Sequence, residues 1–302
     1  MKIWYDIEDI CLSDFISEKF LFLPLFSDSV IKQDNDFKNN KWVTNINSIV
    51  EYSSIEDADC IVYHDKLNDN IIPFLKKLEN FKKPIIAFFN DDSDIPVSET
   101  LPENLLVYRT SINKKNQKPN EIPMPAWSQD FDASELRKYS LKPVVSFCGA
   151  ITHPIRYSCI KKLNKCNNLE TSFIIRNAFW GGNIHGVRLR EEYKTNMQGS
   201  DLVLCCRGAG NFSYRLYETL SCGKIPIIVD TDITLPWDNV IDWNNFIITT
   251  PENIVSDIKQ WWKNMDDKKY AEIQRYSRSV YEDYLNPAGF ANYISNSLKS
   301  KI

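Results

Sequence analysis

The sequence has no large excess of charge of either sign. Its 36 basic and 40 acidic residues leave a net charge of −4 over 302 residues. Nucleic acids and anionic membranes attract strongly basic surfaces, so this balance argues against either of them as the main partner. With 43% hydrophobic residues, a chain of this length can bury two cores of ordinary size. These bounds predict a soluble globular protein with two domains.

Metal-binding cysteine patterns and long apolar runs are also missing. The eight cysteines form no CxxC pair and no His/Cys spacing typical of zinc, so most are predicted to be buried free thiols. No apolar run approaches the length of a membrane span. The N-terminus enters a strand-like segment directly, without the charged and apolar regions of a signal peptide. We therefore expect no zinc site, no membrane span and a cytoplasmic location; a divalent metal is possible but not required.

One stretch of the chain carries several independent signals. Residues 202–206 form an apolar run typical of a strand, which residues 207–210 close with two glycines and an arginine. Ser213 is a good N-cap for a helix over 214–221, whose apolar positions suit packing on a sheet. Residues 225–229 then read as a strand buried on both faces. The pattern predicts a βαβ unit with a glycine-rich turn before its helix.

This turn favours an anionic ligand. Backbone N–H groups in a glycine-rich turn and at a helix N-terminus carry partial positive charge, and ligands bind at the carboxyl ends of parallel strands. A guanidinium there can bind a phosphate and a carboxylate can accept from ribose hydroxyls. The alternative is a surface i,i+3 salt bridge beside a solvated arginine. The candidate nucleotide-binding residues are Arg207, Gly208, Ser213, Tyr214, Arg215 and Glu218.

A longer ordered motif resembles a known family. It runs from Cys206 to Phe246 and includes Arg-Leu-Tyr-Glu-Thr-Leu, Cys-Gly-Lys-Ile-Pro-Ile-Ile-Val, Leu-Pro-Trp and Ile-Asp-Trp. This string resembles the exostosin glycosyltransferases (GT47), although the family usually has a proline where this chain has Cys206. The resemblance implies an α/β fold of the GT-B architecture. Two Rossmann-like domains would face a central cleft, with C-terminal helices crossing back to the first domain.

The resemblance also implies an activity. Exostosins are inverting enzymes, and most move a hexosyl or pentosyl group from a UDP-sugar to a hydroxyl of a glycan or glycoconjugate. Arg156, which follows a Phe-x-Gly turn, would join Arg207 and Arg215 in neutralising the diphosphate, so no metal cofactor is required. Exostosins of animals and plants are usually Golgi membrane proteins, which makes a soluble bacterial or viral relative the expectation. Two alternatives remain: a GDP-sugar fucosyltransferase-like enzyme and a non-catalytic GT-B glycan-binding module.

The general base is expected on the acceptor side. We predict an acceptor-side domain over residues 1–135 and a nucleotide-sugar domain over 136–302. Carboxylates in loops at strand ends of the first domain can take the proton of the acceptor hydroxyl. Ordinary turn chemistry explains such residues equally well, and an Asp-x-Asp metal site, which the resemblance disfavours, is a further alternative. The candidates, with the first preferred, are Asp92, Asp94, Asp91 and Glu8.

Arginine is scarce and unevenly placed. The chain has ten arginines against 26 lysines, and six of the ten lie between positions 156 and 215. A planar guanidinium binds phosphate bidentately, so this clustering supports the phosphate interpretation. Arg188 and Arg190, on a predicted helix, are interpreted as surface charges. His153 and His185 are interpreted as structural or exposed, and His153 is the better placed of the two.

Overall fold

The computed structural model shows an α/β protein with two parallel sheets, which confirms the predicted fold class. The chain divides into two compact units. The first unit consists of Met1–Asp91, Ile95–Trp127 and Tyr284–Ile302, and the second of Asp92–Asp94 and Ser128–Asp283. The structure describes residues 2–4, 51–63, 75–76, 78, 80–89, 92–96, 102–126, 128–177 and 186–299.

The described part of the first unit contains a six-stranded sheet in the order β2-β1-β3-β4-β5-β6, with every neighbouring pair parallel. Residues of β3 and most of β4 are buried, which explains their continuous apolar sequences. The strands are β1 (Lys2–Trp4), β2 (Glu51–Tyr52), β3 (Cys60–Tyr63), β4 (Ile85–Phe89), β5 (Leu105–Arg109) and β6 (Glu121–Pro123).

The second unit alternates strands and helices. Its described elements are β7 (Val144–Ala150), α1 (Pro154–Leu163), β8 (Glu170–Arg176), α2 (Gly186–Gln198), β9 (Leu202–Cys205), α3 (Tyr214–Ser221), β10 (Ile225–Val229), β11 (Ile247–Thr249), α4 (Ile254–Lys263) and α5 (Asp267–Val280). A short 3₁₀ helix, Trp243–Asn245, precedes β11. The parallel sheet has the order β11-β10-β9-β7-β8. Because β7 lies between β8 and β9, the direction of winding reverses between β7 and β9.

The predicted βαβ unit around the glycine-rich turn is present. Ser213 is the N-cap of α3 with an extended backbone, although its side chain makes no capping hydrogen bond. The helix ends at Cys222, and Gly223 follows with a φ of +67°, a conformation that glycine adopts without strain. Helix α3 contacts both β9 and β10. The apolar runs, the glycine-rich turn and the N-cap residue of the sequence therefore predicted this unit.

The segment 128–142 has no regular secondary structure and belongs to the second unit. Arg278 donates to Asp130 at 2.6 Å, and Arg137 donates to Asp201 at 2.6 Å. These long-range bonds explain why the division falls after residue 127, earlier than the predicted boundary at 135.

The chain returns to the first unit at its C-terminal end. A π-helical turn, Tyr281–Leu285, leads into α6 (Pro287–Lys299). Within the first unit, the Phe290 ring lies 5.8 Å from that of Phe88 on β4. The same helix supplies Ser297, which hydrogen bonds with the Tyr108 side chain on β5.

Candidate functional site

The candidate site lies where β7 and β9 end side by side in the second unit. Residues 151–153 connect β7 to the N-terminus of α1, and residues 206–213 connect β9 to the N-terminus of α3. The carboxyl ends of strands that flank a reversal of winding form the usual ligand crevice of an open α/β sheet. Two helix N-termini at this position favour an anion.

Arg156 joins the two loops. Its Nε donates to the Arg207 carbonyl at 2.9 Å, and its Nη1 donates to the Ala150 carbonyl at 2.9 Å. A third, longer bond of 3.4 Å runs from Nη2 to the Cys206 carbonyl. Burial lowers the pKa of this guanidinium to about 10, and the nearby charge of Arg215 lowers it further. The sequence predicts Arg156 as a phosphate ligand. Its hydrogen bonds show that it also fixes the loops after β7 and β9 relative to each other.

Arg215 lies buried at the first turn of α3. Its Nη2 donates to the Cys148 carbonyl at 2.8 Å, and the guanidinium lies over the Phe147 ring at 4.3 Å. Its Nε is buried and has no hydrogen-bond partner in the described part of the chain. A Cβ at Gly149 would lie only 2.9 Å from Nη2, so the strand end needs glycine to admit this side chain. The arrangement leaves a buried cation with an unused donor at the crevice.

The surroundings of Glu218 differ from those that the sequence predicts. The carboxylate accepts from Arg190 Nη2 at 2.7 Å and from the Tyr193 hydroxyl, both on α2. Glu218 is 3% exposed. Arg190, interpreted from the sequence as a surface charge, also bonds Gln129 and lies 4.4 Å over the Phe131 ring. Glu218 is thus a buried member of a network with α2 rather than half of a surface pair with Arg215.

Sequence reasoning missed Arg190 and Tyr193 as members of the site. Burial raises the pKa of the Tyr193 hydroxyl well above its usual value, and the neighbouring Glu218 carboxylate raises it further, so Tyr193 donates as a neutral phenol. The two residues lie three apart on α2, so one helical face brings both to Glu218. This spacing of three residues is the feature of the sequence that could have identified the pair.

The glycine-rich turn is folded onto itself. Arg207 donates to the Asn211 side chain at 3.3 Å and to the Ala209 carbonyl at 2.8 Å. A Cβ at Gly208 would lie 3.2 Å from Arg156 Nη2 and 3.6 Å from Thr152 Oγ1. The loops after β7 and β9 therefore meet at Gly208, where a side chain would press against the Arg156 guanidinium.

Two predicted carboxylates contact this same turn. Asp92 Oδ1 accepts from the Gly210 backbone N–H at 3.1 Å, and Asp94 forms an ion pair with Arg207 at 3.6 Å. Both belong to the second unit with the turn, whereas the sequence predicted them on the first domain. The reason is local: the backbone N–H groups and the guanidinium of the glycine-rich turn attract carboxylates. Asp91 and Glu8 lie outside the described residues.

Helix N-cap residues complete the site. His153 caps α1 with its Nδ1, which accepts from the Ile155 backbone N–H at 3.3 Å. Burial lowers the pKa of this imidazole, and the charges of Arg207 and Arg156 lower it further. On the opposite loop Ser213 is buried, and the ring of Tyr214 packs edge-on against Phe212 at 5.2 Å.

The Leu-Pro-Trp and Ile-Asp-Trp motifs after β10 make contacts that support the fold. Trp237 is buried with a φ of +56°, an uncommon conformation for a bulky residue. Trp243 Nε1 donates to the Pro236 carbonyl at 3.0 Å, and Asp242 caps the 3₁₀ helix through Asn244 N. These bonds fix the chain between β10 and β11.

Two classes of feature are absent from the described residues. No group of three or more His, Cys, Asp or Glu side chains has the geometry to hold a metal ion. Among the same residues, no helix is both long enough and apolar enough to cross a membrane.

Comparison with known proteins identifies the family. The model of the Exostosin GT47 domain matches residues 81–265, which is more than half of the chain. The chain belongs to the exostosin GT47 family. This confirms the resemblance carried by the motif from Cys206 to Phe246, and the matched region includes every described residue of the candidate site.

Individual relatives share shorter stretches with this exostosin-family chain. The Exostosin-1 homolog of Caenorhabditis elegans is 30% identical over 96 residues, which are 32% of this chain and 25% of that protein. The probable arabinosyltransferase ARAD1 of Arabidopsis thaliana is 30% identical over 126 residues, 39% of this chain and 28% of that protein. The chain thus matches about a quarter of the length of these relatives. Among solved structures, Anabaena Alr3699/HepE in complex with UDP and glucose has a TM-score of 0.43 and 13% identity, covering 100% of this chain and 99% of that one.

Proposed function

We propose that this protein is an inverting glycosyltransferase. It transfers a hexosyl or pentosyl group from a nucleoside diphosphate sugar, a UDP-sugar first, to a hydroxyl of a glycan or glycoconjugate. Membership of the exostosin GT47 family supports the activity, and a curated relative is named a probable arabinosyltransferase. The two-sheet α/β structure agrees with the GT-B class that the resemblance implies.

The observation that carries the proposal is the buried positive charge at the end of β7 and β9. Among the described residues, Arg156 and Arg215 donate their hydrogen bonds to backbone carbonyls rather than to carboxylates. The two guanidinium groups are close enough that Arg215 lowers the pKa of Arg156. Burial and the charge of Arg215 both disfavour the charged form of Arg156, and a bound polyanion offsets that cost. A diphosphate has the charge for this role.

The site residues take distinct roles in the proposed reaction. As the bond from the anomeric carbon to the diphosphate breaks, negative charge develops on the leaving oxygen. Arg207 and Arg215 stabilise that charge, with backbone N–H groups of the turn and the α1 and α3 N-termini assisting. Arg156 keeps the two loops at the spacing the diphosphate requires. This charge set supplies the stabilisation without a metal cofactor.

Glu218 is proposed to act by positioning rather than by direct capture of the ribose. Both of its oxygens already accept hydrogen bonds from α2, one from Arg190 and one from Tyr193. The Tyr193 ring in turn lies 5.5 Å from the Arg215 guanidinium. The network therefore holds the ring against which Arg215 packs.

Deprotonation of the acceptor hydroxyl needs a base on the face opposite the diphosphate. Asp92 is the first candidate, followed by Asp94, Asp91 and Glu8. The contacts of Asp92 and Asp94 with the turn at Gly210 and Arg207 favour a second role for them, in balancing the positive charge of the turn. Measured turnover and donor affinity separate these two roles.

The experiment is nucleotide binding by isothermal titration calorimetry, with UDP, GDP, CMP and dTDP as probes. We expect UDP to bind wild-type protein and Arg215→Ala to weaken it about tenfold to a hundredfold, because a charge-assisted hydrogen bond contributes about 1.5–3 kcal/mol. Arg188→Ala, at an exposed position on α2, is the matched control and should bind as wild type. Circular dichroism melting monitors the fold. Unchanged affinity in a folded Arg215→Ala variant contradicts the assignment, and tighter binding of GDP favours the fucosyltransferase-like alternative.

A further inference from the structure

His153 has a defined tautomer in this structure. It is the N-cap of α1, a helix of ten residues, with an extended backbone at φ −143° and ψ 140°. Its Nδ1 accepts the Ile155 backbone N–H at 3.3 Å, so Nδ1 presents a lone pair there. A neutral imidazole with an accepting Nδ1 carries its proton on Nε2. The ring is therefore a donor on the side away from the helix.

The surroundings keep this ring uncharged. Burial lowers the pKa of His153, and the positive charges of Arg207 and Arg156 lower it further. The first turn of α1 contains no acidic residue that would oppose this effect. The partial positive charge of the helix N-terminus acts in the same direction.

The loop that carries His153 borders the glycine-rich turn. A Cβ on Gly208 would come within 3.6 Å of Thr152 Oγ1, the residue immediately before His153. The same position would lie 3.2 Å from the Arg156 guanidinium. His153 therefore belongs to the loop that meets the glycine-rich turn, and its ring lies near enough to Arg207 and Arg156 for their charges to lower its pKa.

We propose that His153 is a neutral donor of the anion site and that its Nε2–H bonds a phosphate oxygen of the nucleoside diphosphate. This rests on the proposed function, because it requires a diphosphate in the crevice between β7 and β9. A neutral donor adds a hydrogen bond without adding a further positive charge beside Arg156 and Arg207. The same ring accepts a hydrogen bond from the first turn of α1 through Nδ1 and donates one to the anion through Nε2.

The test separates the capping role of His153 from its donor role. His153→Ser keeps a side-chain oxygen that caps the helix but removes the donor that reaches the crevice. His153→Gln keeps both an acceptor and an N–H donor on a longer side chain. Inorganic pyrophosphate and UDP are the probes, titrated by calorimetry at pH 7.5 into the full chain. The melting temperature shows whether a variant retains the helix cap.

We expect His153→Ser to bind both probes about fivefold to tenfold more weakly, the range of one hydrogen bond, with its melting temperature close to wild type. His153→Gln should retain most of the affinity. Because the chain has three histidines, the His153 ring signals can be assigned by their loss in His153→Ser. Long-range proton–nitrogen spectra of wild type should then show the Nε2–H tautomer, with the Nε2 proton shifted by pyrophosphate.

Several results would overturn the proposal. Wild-type affinity of His153→Ser for both probes, or an Nδ1–H tautomer, rejects the donor role and leaves the proposed function standing. Failure of wild-type protein to bind either probe rejects the diphosphate site itself and His153 with it. Equal weakening in His153→Ser and His153→Gln, with lowered melting temperatures in both, attributes the loss to a disturbed N-terminus of α1 and rejects the donor role.

Discussion

Replacing Lys224 by methionine should stabilise the protein at neutral pH. Lys224 precedes β10, is 1% exposed, and its Nζ has no hydrogen-bond partner among the described residues. Burial lowers the pKa of its amine to about 8, and the positive charge of Arg137 lowers it further. Methionine has a similar length and no charge, so it fills the same space without the cost of a buried ammonium.

The magnitude follows from the difference between the folded and unfolded pKa values. The change from 10.5 to about 8 corresponds to ~3 kcal/mol, at about 1.4 kcal/mol per pKa unit. Between these pH values the unfolded amine holds its proton more strongly than the native amine, so stability rises with pH. Below pH 8 both amines are protonated and the full cost of the buried charge is present. Lys224→Met should therefore be more stable than wild type by about 2–3 kcal/mol at pH 7.

The assay is urea unfolding followed by circular dichroism at several values between pH 7 and pH 10.5. The advantage of Lys224→Met should shrink as the pH rises, because the wild-type amine becomes neutral in the native state. Lys259→Met, at an exposed position on α4, is the control and should change stability little at either pH. A Lys224→Met variant that is less stable than wild type at pH 7, with the same pH dependence, would refute the reasoning.

Two further predictions concern the site. Glu218→Gln should weaken the binding of inorganic pyrophosphate and of UDP by the same factor in calorimetry, because both carboxylate oxygens accept hydrogen bonds from α2. A loss of affinity confined to UDP would instead support the predicted contact between Glu218 and the ribose. Asp92→Asn should lower kcat by about 10²–10⁴ with donor affinity nearly unchanged if the carboxylate is the general base. A change in donor KM at normal kcat would instead assign Asp92 to the turn that it contacts through Gly210.

Local sequence patterns predicted the elements around the site because those elements depend on local physics. The apolar run of β9, the glycine after α3 and the β-branched residues of β10 each specify a backbone conformation within a few residues. Those signals were enough to place Arg207 after a strand and Arg215 on the following helix. The strand-end crevice then followed from parallel topology.

The partners of charged side chains were not predictable in the same way. Spacing along α3 places Glu218 near Arg215, but the carboxylate bonds Arg190, which is 28 residues away in sequence. Likewise, Asp130 lies in an irregular segment and is fixed by Arg278, 148 residues away. Such pairings depend on how helices pack against the sheet, which no periodicity encodes. This explains both the missed network at Glu218 and the earlier division of the chain.

The three arginines that the sequence treats as equivalent meet three different environments. Arg156 uses its three nitrogens on carbonyls at the ends of β7 and β9, so contacts within the protein fix its position. Arg215 uses one nitrogen on the end of β7 and keeps a buried Nε without a partner among the described residues. Arg207 is paired at 3.6 Å with Asp94, a longer ion pair that a phosphate can replace. Strong anion binding needs donors that are both positioned and available. Arg156 fixes the positions of the two loops, Arg215 provides a preorganised charge, and Arg207 provides a contact that a phosphate can replace.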